Sequence, residues 1–86
     1  MRIVYTQHFN RAYKKLSNAQ KELVDDAIRL FIKEPMAAAL KNHPLKGQLK
    51  GIRSIKAGYD LRILYTEEAG HAIVFFIEVG SHAQVY

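Results

Sequence analysis

Residues 51–79 read GIRSIKAGYDLRILYTEEAGHAIVFFIEV, and this stretch decides the fold. Three β-rich runs lie in it, Gly51–Ala57, Tyr59–Thr66 and His71–Val79, separated only by Gly58 and by Glu67–Gly70. Gaps this short suit antiparallel hairpins, because parallel neighbours need a long crossover. In the first run Ile52 and Ile55 mark apolar positions while Arg53 and Lys56 face out, with imperfect alternation. In the second, Leu61, Ile63 and Tyr65 alternate with Arg62 and Leu64. The third is apolar at nearly every position, which predicts a central strand covered on both faces. Phe75 and Phe76 read as core, Glu67-Glu68 as a solvated turn, and His8 and His71 as surface residues.

Upstream of this stretch the period changes from two to 3.6. Phe9, Ala12, Tyr13 and Leu16 recur at helical spacing after Thr6, a residue suited to capping. Ser17 with Gln20 three positions on matches a capping box. A second helix then runs to about Glu34, with Leu23, Ala27, Leu30 and Phe31 on one stripe, and Pro35 ends it. Ile3-Val4-Tyr5 makes a short strand at the start, Met36–Leu40 one more helical turn, and Asn42-His43-Pro44 with Gly47 a loop. The order is βααβββ: an α+β domain, one unit over residues 1–86, whose antiparallel sheet packs on an N-terminal helical hairpin.

Composition narrows the function. The 86 residues are 49% hydrophobic and 24% charged, which excludes disorder and low complexity. With no cysteine there is no disulfide scaffold, thiolate zinc site or cysteine nucleophile. The longest apolar run, Ala72–Ile77, is far short of the roughly 20 residues a membrane span needs. Residues 1–6 lack the three-part pattern of a secretory signal, so a reduced, cytoplasmic setting is expected. The formal net charge of +5 is concentrated: Lys41, Lys46, Lys50, Arg53, Lys56 and Arg62 face Asp60 alone within residues 41–62, while the rest of the chain balances to zero. A localised basic patch interleaved with apolar strand positions suits a polyanion, which binds by releasing counterions. No clustered ligand spacing suggests a metal.

The βααβββ order, the loop His43-Pro44-Leu45-Lys46-Gly47, the run Gly51-Ile52-Arg53, the segment Tyr59–Tyr65 and the closing Gly80-Ser81-His82-Ala83-Gln84-Val85-Tyr86 together resemble the RelE/ParE toxin superfamily, closest to its YafQ-like branch. The resemblance implies the RelE-like microbial ribonuclease fold. It also implies a type II toxin that cleaves mRNA in the ribosomal A site and forms a hetero-oligomer with a cognate antitoxin, with no membrane partner, cofactor or metal. Cleavage would proceed by attack of a ribose 2′-OH on the adjacent phosphate, which needs a proton acceptor, a proton donor and fixed positive charge. Carried over position by position, His43, Asp60 and His82 match the branch's catalytic residues and Tyr86 its terminal aromatic. Lys46, Lys50, Arg53, Lys56 and Arg62 would hold phosphate. Lys56 stands where the branch carries another histidine, and Glu78 where it carries a basic residue four positions before the C-terminal His. A ParE-like, non-catalytic poison of DNA gyrase and a domain that only binds RNA remain the alternatives.

Overall fold

The structure is a computed structural model that describes residues 1–86. Its elements run β1 (Arg2–Tyr5), α1 (Gln7–Lys14), α2 (Asn18–Lys33), β2 (His43–Pro44), β3 (Arg53–Ala57), β4 (Leu61–Glu68), β5 (Ile73–Ser81) and α3 (His82–Val85). Short 3₁₀ turns at Ala38–Leu40 and Gly47–Leu49 flank β2. The strands form one sheet in the order β1-β5-β4-β3-β2. All neighbours are antiparallel except β1 and β5, which run parallel because the helical hairpin intervenes before the chain returns to β1's side. No helix is long and apolar enough to cross a membrane.

Both helices start as their sequences require. Thr6 Oγ1 accepts from the Phe9 amide at 3.2 Å, capping α1. Ser17 and Gln20 exchange both bonds of a capping box, at 3.1 and 2.9 Å. Each cap satisfies amides that the first helical turn leaves free. The inner stripe of the hairpin places Phe9, Val24, Ala27, Ile28 and Phe31 against Ile55, Ala57, Leu61, Ile63, Tyr65, Val74, Phe76 and Val79 of the sheet. Phe31 is the hub: its ring sits edge-on to Tyr65 at 4.8 Å, to Phe76 at 5.6 Å and to His71 at 5.7 Å between centroids.

Three expectations need correction. β5 lies inside the sheet, between β1 and β4, but the helices cover only one of its faces: Val74, Phe76 and Val79 are buried while Ile73, Phe75 and Ile77 are half-buried. Its near-continuous apolar pattern is partly a bulge. Tyr65 pairs with Phe76 and Leu64 with Glu78, leaving Ile77 extra, so the inward parity shifts by one residue along the strand. Second, the loop at His43-Pro44 contains a two-residue edge strand paired with Ser54 and Arg53. A proline tolerates such an edge because the outer side needs no amide donor. Third, His71 and Glu67 are not solvated: both are half-buried beside Tyr65, with His71 Nε2 at 2.8 Å from Glu67 Oε2.

Candidate active site

Pairing across antiparallel strands puts opposite residues on one face, and alternation repeats that face every second position. His43 opposes Ser54, and Ser54 opposes Leu64. Lys56 opposes Arg62, and Arg62 opposes Gly80. His43, Ser54, Lys56 and Arg62 therefore share the face turned away from the helices. The core face is fixed by Ile55, Ile63 and Tyr65, which pack against α2.

The C-terminal segment completes this surface. Ser81 and Gln84 form a second capping box, at 3.3 and 2.8 Å, that starts α3 directly at the end of β5. The His82 amide donates to the Asp60 carbonyl at 3.1 Å and the Tyr86 amide to the His82 carbonyl at 3.2 Å. A Cβ on Gly80 would meet Gln84 Oε1 at 2.9 Å, so the glycine lets α3 lie close against the sheet. From there the Tyr86 hydroxyl donates to Oγ of Ser54, which is wholly buried. The His82 and Tyr86 rings meet edge to face, 4.4 Å between centroids at 86°. The two ends of the C-terminal half are thus tied together. His43 lies beside Ser54, Ser54 holds Tyr86, and Tyr86 meets His82 edge to face.

The orientation of His43 follows from one bond. Its Nδ1 lies 2.8 Å from the Lys41 carbonyl oxygen. A carbonyl only accepts, so Nδ1 carries the hydrogen, and in the neutral ring Nε2 is left with a free lone pair. Lys41 adopts the left-handed conformation (φ 47°, ψ 44°) that directs its carbonyl there, which costs a non-glycine residue about 1–2 kcal/mol.

Lys56 and Arg62 are half-buried, directly opposite and of like sign, an arrangement that destabilises a bare sheet. The ion pairs of the molecule join His8 to Glu78, Arg29 to Asp26 and His71 to Glu67, so no carboxylate neutralises Lys46, Lys50, Lys56 or Arg62. An uncompensated pair of cations beside two imidazoles suits an anion supplied from outside. Lys46 and Lys50 are exposed at the rim, in the turn after β2.

Two residues fall elsewhere. Arg53 opposes Tyr65 and so lies on the helical side, where its Nε donates to Asn42 Oδ1 at 2.9 Å; it is separated from Lys56 and Arg62 by the sheet itself. The expectation that Arg53 and Lys56 both face out fails on parity, since three positions along a strand is an odd step. Asp60 lies in the β3–β4 turn, joined to His82 through its backbone carbonyl, with its carboxylate exposed and unpaired. The sequence reading missed Ser54 and Asn42. Ser54 had a usable signal as the small polar residue between inward Ile55 and the loop; Asn42, a loop asparagine, had none.

Against this geometry, a family model described as the bacterial toxin of type II toxin–antitoxin system, YafQ, matches residues 1–86. The chain belongs to the YafQ family. It is a type II toxin–antitoxin toxin. Among solved structures, this YafQ-family toxin is similar to YafQ from E. coli strain BL21(DE3), at 24% identity and TM-score 0.82 over 100% of this chain and 99% of that one. It is similar to a YoeB/ParE toxin from Agrobacterium tumefaciens at 26% identity, TM-score 0.76, covering 95% and 99%. It also matches a chain of the E. coli DinJ–YafQ toxin–antitoxin complex at 24% identity, TM-score 0.78, covering 98% and 94%. No curated protein sequence matches it. The α+β architecture expected for such a toxin is the one observed.

The link between Tyr86 and Ser54 carries a prediction. Tyr86→Phe leaves a buried hydroxyl without its donor and is expected to cost about 1–3 kcal/mol. For a domain of this size that lowers the melting temperature by at least about 4 °C. If the pair acts as one unit, Ser54→Ala added to Tyr86→Phe brings little further loss. Thermal melts of the four proteins in this cycle decide it, and strictly additive losses would show that the two side chains do not cooperate.

Proposed function

We propose that this toxin is a ribosome-dependent mRNA endonuclease that needs no metal, held inactive by a cognate antitoxin, as DinJ accompanies YafQ in the E. coli complex. One observation carries the reading: Tyr86 docks on Ser54, which sets His82 and His43 around one strand pair beside an unneutralised Lys56–Arg62 pair. His43 Nε2 takes the proton of the attacking 2′-OH as the new O2′–P bond forms. His82, protonated, donates to the departing 5′ oxygen as the P–O5′ bond breaks. Lys56 and Arg62 offset the negative charge that grows on the phosphate oxygens, with Arg62 suited to a forked grip. Lys46 and Lys50 hold flanking phosphates, and Tyr86 keeps the His82 ring turned toward the cleft. Asp60 bears on the site by fixing the His82 backbone.

Purified toxin added to ribosomes stalled on a defined message tests this. The expected products are fragments with a 2′,3′-cyclic phosphate on one side of the cut and a 5′-hydroxyl on the other. Intact message together with DNA breaks trapped on gyrase would overturn the proposal in favour of a gyrase poison.

A further inference from the structure

A polar network on the helical side of the sheet is not used by the chemistry above, yet it ends one residue from His43. Asn42 is half-buried, and both ends of its side-chain amide are bonded to protein groups. Its Nδ2 donates to the Pro35 carbonyl at 3.0 Å and to the Tyr65 hydroxyl at 2.7 Å, and its Oδ1 accepts from Arg53 Nε at 2.9 Å. Those three partners come from the segment just past α2, from β4 and from β3. One loop side chain is therefore gripped by three separate elements.

The grip is built to last. Tyr65 is wholly buried, and burial pushes its phenol above the ordinary range despite the opposing pull of Asn42 and Arg53, so the hydroxyl stays neutral and available to Asn42. Arg53 has no carboxylate partner and gives its Nε–H to an amide oxygen instead. Beyond Tyr65, His71 Nε2 lies 3.3 Å from the hydroxyl, with Glu67 behind it and the Phe31 ring edge-on to both aromatic groups. On the other side of Asn42 the chain is strained: Lys41 is left-handed, and its carbonyl is the acceptor for His43 Nδ1. Non-glycine residues keep such a conformation where the surroundings over-determine it.

We infer that Asn42, clamped by Arg53, Tyr65 and the Pro35 carbonyl, is the positioning residue that holds the Lys41 carbonyl on His43 Nδ1 and so decides which imidazole nitrogen is free to accept a proton. The inference rests on the reading of His43 as the base for its consequence in catalysis, but not for its consequence in structure. Without the clamp, residues 41–43 relax, the left-handed turn is no longer enforced, and His43 loses its fixed acceptor.

The test reads the tautomer and the chemistry separately. Long-range ¹H–¹⁵N NMR of the full chain at a pH where the ring is neutral is expected to show His43 as the Nδ1–H form. Asn42→Ala is expected to move it toward the Nε2–H form and to lower single-turnover mRNA cleavage about 10- to 100-fold, as small misplacements of a reacting group do, while ribosome binding changes less than about 2-fold. Arg53→Met, which keeps the side-chain stem and removes the donor, should act in the same direction and serves if Asn42→Ala does not fold. A wild-type His43 in the Nε2–H form overturns the inference, as does a folded variant that retains the Nδ1–H form. A shifted tautomer with undiminished cleavage upholds the positioning role and instead overturns His43 as the base.

Discussion

His82→Ala is expected to lower the single-turnover rate of mRNA cleavage on ribosomes by about 10²–10⁴-fold, the usual contribution of one positioned acid or base. The fold has little reason to change. The ring is exposed, α3 is started by the Ser81–Gln84 capping box rather than by the imidazole, and alanine is a good helix former. The bonds His82 makes within the backbone, to Asp60 and Tyr86, do not involve its side chain. The one side-chain contact given up is the edge-to-face contact with the Tyr86 ring, so the loss of stability should be about 0.5–1.5 kcal/mol. In the function proposed above, binding to the ribosome rests on Lys46, Lys50, Lys56 and Arg62, which the substitution does not touch. The expected signature is a lost rate with retained affinity in a protein that still folds. A growth arrest as strong as that of the parent, with message cleaved at the same rate, would remove His82 from the mechanism.

The helices and the three main strands were legible because local signals agreed with the tertiary outcome. Ser17–Gln20 is a capping box in sequence and in structure, and Gly58 and Gly70 stand at the turns that separate the strands. What was lost lay where one residue changes parity or where the partner is distant. Nothing around Ile77 announces a bulge, since a continuous apolar run hides which residues face the core. The pairing of β2 needs Ser54, eleven positions away from His43, and no periodicity exists in two residues. α3 was legible and passed over: Ser81-His82-Ala83-Gln84 repeats the same S-x-x-Q spacing that marks the start of α2.

The site divides in the same way. His43, His82, Tyr86, Lys56 and Arg62 were named from motifs and charge, and strand pairing and the α3 cap bring them to one face. Arg53 was named for its charge but is placed by strand parity, and parity outweighs residue type once a strand has one covered face. His71 and Glu67 looked solvated because a turn of Glu-Glu-Ala-Gly is normally so. The Phe31 ring, forty positions upstream of His71, meets its imidazole edge-on, and His71 in turn pairs with Glu67.

Phe31→Ala is the substitution expected to damage the protein most. The side chain is wholly buried and touches Tyr65, Phe76 and His71, three residues of the β4–β5 hairpin and the turn within it. Truncating a buried phenylalanine costs about 3–5 kcal/mol, through lost transfer energy and an unfilled cavity. Edge-to-face contacts of this kind are worth about 0.5–1.5 kcal/mol apiece, and losing three together places the cost of truncation in the upper part of its range. Small domains are stable by about 0.05–0.15 kcal/mol per residue, so the loss takes a third or more of what holds the chain folded. Melting should fall by at least about 12 °C. The sheet cannot close over the gap, because β4 is fixed between β3 and β5 and α2 is held at its start by the Ser17 cap. Toxicity should fall as well, but by a different route from His82→Ala: through the folded fraction, so that lowering the temperature restores it. Phe31→Leu, which refills most of the cavity, should recover more than half of the stability. A variant Phe31→Ala that melts within about 3 °C of the parent would mean that α2 and the β4–β5 hairpin do not share one core, and the frame that holds Asn42 and Ser54 in place would need another support.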